Sequence, residues 1–560
     1  MMQIQRGLRK DSLLTKFVLG AHPIIDHFIE VLRIREIIGT YVRADKRMSL
    51  DDDKVLAILI HNILTTPNAL YEMEDWLKPL DAEKLGLRPE ESKLIQDDRI
   101  GRALARFYDS RHKDVFFRLA LRAIKIFKLD CSRIHHDTTT VTFAGKYGRW
   151  SAKELLTHGH NKDHRPDLKQ LVLGLNVTAD GAVPISHRIY AGNETDDRLH
   201  PENHKALQKL LQRTDFIYVA DCKLATEENL QKISAWHGRF VTVMPRTWKE
   251  DKRFRERVRQ GKIRWKHVLS RKNNRRPDSK RDRYYVAEGN YTTSHGYRLH
   301  WIRSTQKAEQ DAESRVKQIR RALEELRDLQ TKINAYYLKQ RKSIAQRIDS
   351  ILETQRCETL IKYQIHETRE YKRRYQGKGR PTEDSPSKVT WKLVYSISFA
   401  VDKDAESKET KTDGVFPLIT NLDTETYPAK KVLEVYKFQP FIEKRFSQLK
   451  TYQEIAPVYL KKAERVVAFL HIHVMALMVA TLIERKLRLG MKLEGIDSLP
   501  IYPEKRACTA PTIFDIVRLF RNVERYEVVT RDETTIFPAE LTRPQKEVLR
   551  LLEVPVADYQ

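Results

Sequence analysis

The feature that most restricts the fold is a change of texture at Arg133. From there the sequence carries short runs rich in β-branched and aromatic residues: Ile134 to Phe143, Leu171 to Val177, Ile185 to Tyr190, Phe216 to Ala220 and Phe240 to Val243. Each run predicts a strand. Loops or turns join the first three, whereas helical patterns at His200 to Leu211 and Thr226 to Ala235 flank the fourth. The order β-β-β-α-β-α-β predicts an α/β fold, a mixed sheet with flanking helices.

Residues 1–128 alternate helical patterns with short breaks and read as a helical N-terminal domain. Asp51-Asp-Asp-Lys opens one helix with acidic residues. A second, from Asp97, sets Ile100, Leu104 and Phe107 on one face and Arg99, Arg102 and Arg106 elsewhere, a solvated basic face or a DNA contact. The sheet domain is expected over 129–245. It is interrupted by a basic α+β insertion at 246–425 and resumes over 426–490, with a C-terminal region at 491–560. Within the insertion, Ile319, Leu323, Leu326, Ile333, Tyr337, Ile344 and Ile351 follow a 4-3 spacing that predicts a long helix or helical hairpin. Gly377 to Ser387 reads as an exposed loop, in which Lys378-Gly-Arg-Pro resembles a minor-groove arginine hook. Trp391 to Ala400 and Val415 to Thr420 read as further strands.

Charge points to the partner. Lys and Arg number 103 against 76 Asp and Glu, a surplus of 27, which favours a polyanion and above all nucleic acid. From Arg246 to Arg283 there are 17 basic residues against five acidic ones. Trp248, Phe254 and Trp265 interleave with them. This run reads equally as a disordered linker or as a surface for nucleic acid, with Arg253, Arg255, Arg257 and Arg259 as phosphate contacts. Four widely separated cysteines suit a reducing cytoplasm, and the first ten residues lack the apolar run of an export signal. Val466 to Ile483 is apolar enough to be weighed as a membrane span, but His471 and His473 interrupt it, so a buried core helix is expected and no membrane partner.

Three acidic positions could carry chemistry. Phe216-Ile-Tyr-Val-Ala ends in Asp221, and the end of a buried strand is where a sheet presents reactive groups; Asp221 could also cap a helix. Asp137 shares a strand face with Thr139, Val141 and Phe143, where a carboxylate is costly unless it is paired, bonded to a threonine or bound to a cation. Pro440 suits a helix start, Ile442, Phe446 and Leu449 form its buried stripe, and Glu443 and Lys450 share the adjoining one. A solvated charged face would show the same Glu and Lys spacing.

Together these residues resemble the DDE-type insertion-sequence transposases of bacteria and archaea, in the branch with a Tyr-x2-Arg-x3-Glu-x6-Lys signature. Tyr436, Glu443 and Lys450 match that signature, and Gln439 stands where the family has Arg. Asp137-Thr-Thr-Thr and Val219-Ala-Asp221 are similar to the strands of the first two acidic residues. Gly159-His-Asn-Lys-Asp-His-Arg-Pro-Asp-Leu and Gly192-Asn-Glu-Thr-Asp also resemble stretches of such transposases. The resemblance implies a ribonuclease-H-like fold in which Asp137, Asp221 and Glu443 are catalytic and hold two Mg²⁺ ions, for which Mn²⁺ substitutes. It implies DNA contacts at Tyr436, Gln439 and Lys450, with the family's cation missing at Gln439. It further implies double-stranded DNA partners at element ends and target, DNA-end binding or dimerisation by the N-terminal domain, a synaptic homodimer and a nucleoid-associated location. Two rival classes are a non-catalytic or domesticated DNA-binding protein and a zinc-dependent hydrolase. The second is suggested by eight histidines between residues 131 and 210, without an HExxH motif.

Overall fold

Acidic openings and apolar interiors set the N-terminal helices. After strand β1 (Leu13–Val18) come α1 (His22–Leu32), α2 (Ile34–Tyr41), α3 (Asp52–Thr65), α4 (Met73–Leu77), α5 (Asp97–Asp109) and α6 (His112–Phe127). Asp52 and Asp53 sit in the first turn of α3, where they oppose the helix dipole, and Val55 through Leu64 are buried. Asp52 is itself buried and takes Arg99 at 2.7 Å and Arg106 at 2.6 Å from α5. Two of the three α5 arginines therefore hold helices together rather than forming a free basic face.

The computed structural model describes residues 13–43, 48–143, 155–159, 167–194, 196–272, 281–375, 380, 387–455, 460, 462–530 and 533–560. It is a mixed α/β structure with a large mixed sheet. The chain divides into two compact units, one of Met1–Thr242 with Leu433–Gln560 and one of Val243–Val432.

In the first unit the sheet strands are β2 (Arg133–Phe143), β3 (Lys169–Thr178), β4 (Pro184–Ala191), β5 (Ile217–Val219) and β6 (Arg239–Val243), in the order β4-β3-β2-β5-β6. Pairing is antiparallel along β2, β3 and β4, and parallel along β2, β5 and β6. Helix α7 (Asp196–Leu211) leads to β5, and α8 (Glu227–Ala235) carries the chain from β5 to β6. Thr226 caps α8 by accepting from the Asn229 backbone, as its position before the helical pattern predicts.

The second unit turns the basic run into ordered structure: α9 (Lys249–Arg259), β7 (Trp265–Lys272) and β8 (Arg281–Ala287). With β9 (Tyr291–Thr292), β10 (Arg298–Ser304) and β13 (Val415–Thr420) these strands pair antiparallel. The interleaved aromatics pack inward. Phe254 is buried and stacks on Trp301 with ring centroids 3.9 Å apart, and Trp265 meets it edge-on. The 4-3 stripe spans two helices, α10 (Thr305–Lys332) and α11 (Arg341–Thr354), separated by a break that leaves Tyr337 exposed. Ile319, Leu326, Ile344 and Ile351 are spent in a core shared with β11 (Ile361–Tyr375) and β12 (Ser387–Val401), a long hairpin followed by α12 (Lys403–Thr410). The stripe braces this unit and is not free to serve as a dimer interface. Of Lys378-Gly-Arg-Pro, only Arg380 lies within the described residues.

The first unit resumes with α13 (Ala429–Tyr436), α14 (Pro440–Ser447), a π-helical turn at Gln448–Tyr452 and α15 (Ala463–Leu493). Beyond them are α16 (Ile513–Phe520), β14 (Glu524–Val529), β15 (Thr534–Phe537) and α17 (Arg543–Leu552), with β14 paired to β1 and β15. Among the described residues α15 is the one helix long and apolar enough to cross a membrane, and 94% of its apolar window is buried inside the chain. It packs against α3, α5, α17 and β4 as a central post. Its Glu484 is buried and takes Arg445 of α14 at 2.7 Å. Arg445 also donates to the Gly181 and Ala182 carbonyls at the turn before β4. Removing one partner of a buried pair strands the other charge. Glu484→Leu should therefore lower the stability of the full chain by about 3 to 5 kcal/mol, read from the urea midpoint; an unchanged midpoint would show that the pair is not an anchor.

Candidate functional site

Asp137 and Asp221 lie on neighbouring strands of the first unit, and Glu443 enters from a helix packed on them. Asp137 is half-buried in mid-β2, with its Oδ1 accepting from the Thr138 backbone N–H at 2.8 Å. Asp221 follows β5, which pairs with β2 in parallel through Ile134–Tyr218 and His135–Val219. Its Oδ1 accepts from the Lys223 backbone at 3.0 Å, and its carbonyl accepts from the Thr242 hydroxyl at 2.6 Å, which braces the strand end against β6. Glu443 is exposed in the first turn of α14, where its charge complements the helix dipole.

Tyr436, at the end of α13, reports where these carboxylates point. Burial pushes its phenol far above the ordinary tyrosine range, and negative charge at Asp221, Cys222, Glu443 and Asp137 pushes it further. All three acidic side chains therefore act electrostatically on one phenol, although they come from distant parts of the sequence. The phenol stays protonated across the neutral range and can act as a donor. Hard carboxylate oxygens in this half-exposed setting suit a divalent cation such as Mg²⁺. Among the described residues no three His, Cys, Asp or Glu side chains already form a cluster that could hold a metal ion.

Gln439 occupies a different place from the DNA surface expected of it. It is 5% exposed, and both ends of its amide are committed inward. Nε2 donates to the His136 carbonyl at 2.9 Å, and Oε1 lies 2.9 Å from His135 Nδ1. With Nε2 fixed as donor, the oxygen must accept, so His135 carries its proton on Nδ1. The residue just before α14 is thus clamped to the β2 backbone immediately before Asp137. Lys450 falls in the π-helical turn, so the seven-residue spacing from Glu443 is not that of a continuous α-helix. Such turns are frequent at functional sites.

The four arginines expected to meet phosphate separate into two pairs in the second unit. Arg253 and Arg257 are exposed. Arg255 is buried, with Asp251 at 2.7 Å and the Thr412 and Val415 carbonyls as further acceptors, and Arg259 pairs with Glu409 at 2.8 Å. The guanidinium of Arg255 is therefore closed to a phosphate.

His135, His136, His187, His200 and His204 serve the interior, whereas His158 is exposed. His136, Asn176, Asn203, Tyr218 and His200 form a buried hydrogen-bonded network on the sheet face opposite Asp137. Burial lowers His135 and His204 to about 4, and His187 to about 3. These rings are neutral and sit inside the fold, not at an open zinc site; His160 and His164 lie outside the described residues.

Residues 17–121 match a family described as a domain of unknown function, DUF4277. No curated protein matches the chain. One similar solved structure is a cryo-EM structure of the piggyBac transposase synaptic complex with hairpin DNA, at 8% identity over 88% of this chain and 79% of that one, with a TM-score of 0.40. Another is a Mos1 transposase paired-end complex with the left transposon end, at 11% identity over 35% of this chain and 60% of that one, with a TM-score of 0.15.

Two outcomes follow from the clamp and the buried rings. Gln439→Leu leaves the His135 N–H and the His136 carbonyl unsatisfied and should cost about 2 kcal/mol or more in urea unfolding. His135, with a folded value of about 4 against an ordinary 6.5, binds fewer protons folded than unfolded in that interval. Its contribution is complete above pH 6.5 and is lost as pH falls toward 4. The urea midpoint should fall across this window, with His187 and His204 adding in the same direction; a flat midpoint would contradict the assignment of neutral rings.

Proposed function

We propose that the chain is a metal-dependent polynucleotidyl transferase, a DDE-type transposase that binds the terminal inverted repeats of a mobile element, cleaves strands there and joins them to target DNA. What supports this reading is that Asp137 in β2, Asp221 just after the adjacent β5 and Glu443 on a helix clamped to β2 all act electrostatically on Tyr436. The strand order of the mixed sheet supports a ribonuclease-H-like arrangement, with the strand bearing the first carboxylate at its centre.

In this reading Asp137, Asp221 and Glu443 hold two divalent ions, Mg²⁺ or Mn²⁺. Such ions, when bound, make an attacking hydroxyl more acidic and neutralise charge on a leaving 3′ oxygen. The protein's own part is positional. The Gln439 clamp and the Arg445–Glu484 pair fix the two ends of α14, so Glu443 is held relative to Asp137 without spending its own carboxylate on a structural bond. Tyr436 offers a protonated phenol to a phosphate oxygen, and Lys450 supplies a cation on the same side of the signature. Two copies of the chain would hold the two element ends.

The test is cleavage of duplex carrying an element end by the full chain in Mg²⁺. Asp137→Ala, Asp221→Ala and Glu443→Ala should each reduce cleavage on the order of a thousandfold while end binding persists. Because the three act as one unit, the Asp137→Ala, Asp221→Ala double variant should be no worse than either single one. Near wild-type cleavage by any single variant removes that residue from the site. Binding by the wild-type chain without cleavage would instead make it a non-catalytic DNA-binding protein.

A further inference from the structure

The hairpin of β11 and β12 in the second unit is longer than its core requires. Register pairs Ile361 with Val401 and continues to Tyr375 with Ser387. Near the base, Ile361, Ile365, Tyr395 and Ile397 face the α10 and α11 helices and join their core. Side chains alternate along a strand, so the face that is buried at the base continues outward through Arg369, Tyr371, Arg373 and Tyr375 on one strand and Leu393, Trp391 and Val389 on the other. There, among the described residues, it is exposed and joins no helix core. Tyr371 and Trp391 are each 67% exposed, and they lie opposite one another with ring centroids 5.8 Å apart, edge to face. Val389 and Leu393 are exposed beside them.

Charge decides what could cover this face. Residues 369–375 and 387–393 include six cations, Arg369, Lys372, Arg373, Arg374, Lys388 and Lys392, against the single carboxylate of Glu370. Those six form no ion pair among the described residues, unlike Arg255, Arg259 and Arg315 elsewhere in the unit. Arg369 and Arg373 share the face of Tyr371 and Trp391, and the other four cations alternate onto the reverse face. A second copy laid on the aromatic face would bring like charges together, whereas a polyanion with apolar base edges satisfies both the two arginines and the aromatics. A two-stranded ribbon fits the major groove of B-form DNA.

We propose that the outer half of this hairpin is a duplex-DNA-binding arm: Tyr371 and Trp391 face the base edges and thymine methyls, while Arg369 and Arg373 on the same face engage the flanking phosphates. The inference rests on the reading of the chain as a DNA-handling enzyme and moves the main phosphate contact from α9 to the hairpin.

The experiment is a salt-titrated anisotropy assay of the full chain with labelled duplex DNA of mixed sequence. Arg369→Gln with Arg373→Gln should weaken binding and reduce the slope of log affinity against log salt by about 1.8, near 0.9 per lost phosphate contact. Tyr371→Ala with Trp391→Ala should weaken binding with little change in slope. All four positions are exposed, so unfolding midpoints should match the wild type. Wild-type affinity and slope in both variants would overturn the arm and leave the proposed enzyme standing. No binding of DNA by the wild-type chain would overturn both. Variants that alter the oligomeric state while leaving DNA affinity intact would identify the face as a contact between copies and overturn the arm.

Discussion

One buried amide, Gln439, ties the strand of Asp137 to the helix of Glu443, segments about 300 residues apart in sequence. Its two hydrogen bonds are short and directional, and they are made in an interior where leaving either group unmet would cost on the order of a hydrogen bond's full desolvation. The buried Arg445–Glu484 pair does the same for the other end of the helix, anchoring it to the long apolar post of α15. Between these two fixed points Glu443 remains exposed.

Much of the sheet was legible because strand signals in its interior are unambiguous. The runs at Ile134, Leu171, Ile185 and Phe240 correspond to β2, β3, β4 and β6 within one or two residues, and Thr226 marks the start of α8. The acidic start of α3 and the burial of α15 were also readable, the latter because an apolar helix containing His471 and His473 belongs in a protein interior. What sequence reading missed was the destination of charge. Arg99, Arg106, Arg255 and Arg445 look like any surface arginine in a basic chain, yet each finds a carboxylate from the same or another helix. Pairing across the fold has no local signature. The role of Gln439 had one visible sign, its departure from the family's Arg, but only the register with His135 and His136 explains it.

The same distinction redistributes the positive surplus. A count of Lys and Arg suggested α9 and the segment after it as the phosphate surface, but aromatic residues there fill a core and two of the arginines are paired. On the outer hairpin the opposite holds: aromatics are exposed, and the cations form no ion pair among the described residues. Basic composition therefore locates a partner only after internal ion pairs are subtracted.

The central claim is that Asp137, Asp221 and Glu443 form one divalent-ion site. Its most direct test is a crystal structure of the full chain soaked in Mn²⁺, read by anomalous scattering. The account predicts manganese peaks bounded by these three carboxylates beside Tyr436, about 4 Å apart if both ions are present. Manganese bound elsewhere, with these side chains unliganded, would contradict it.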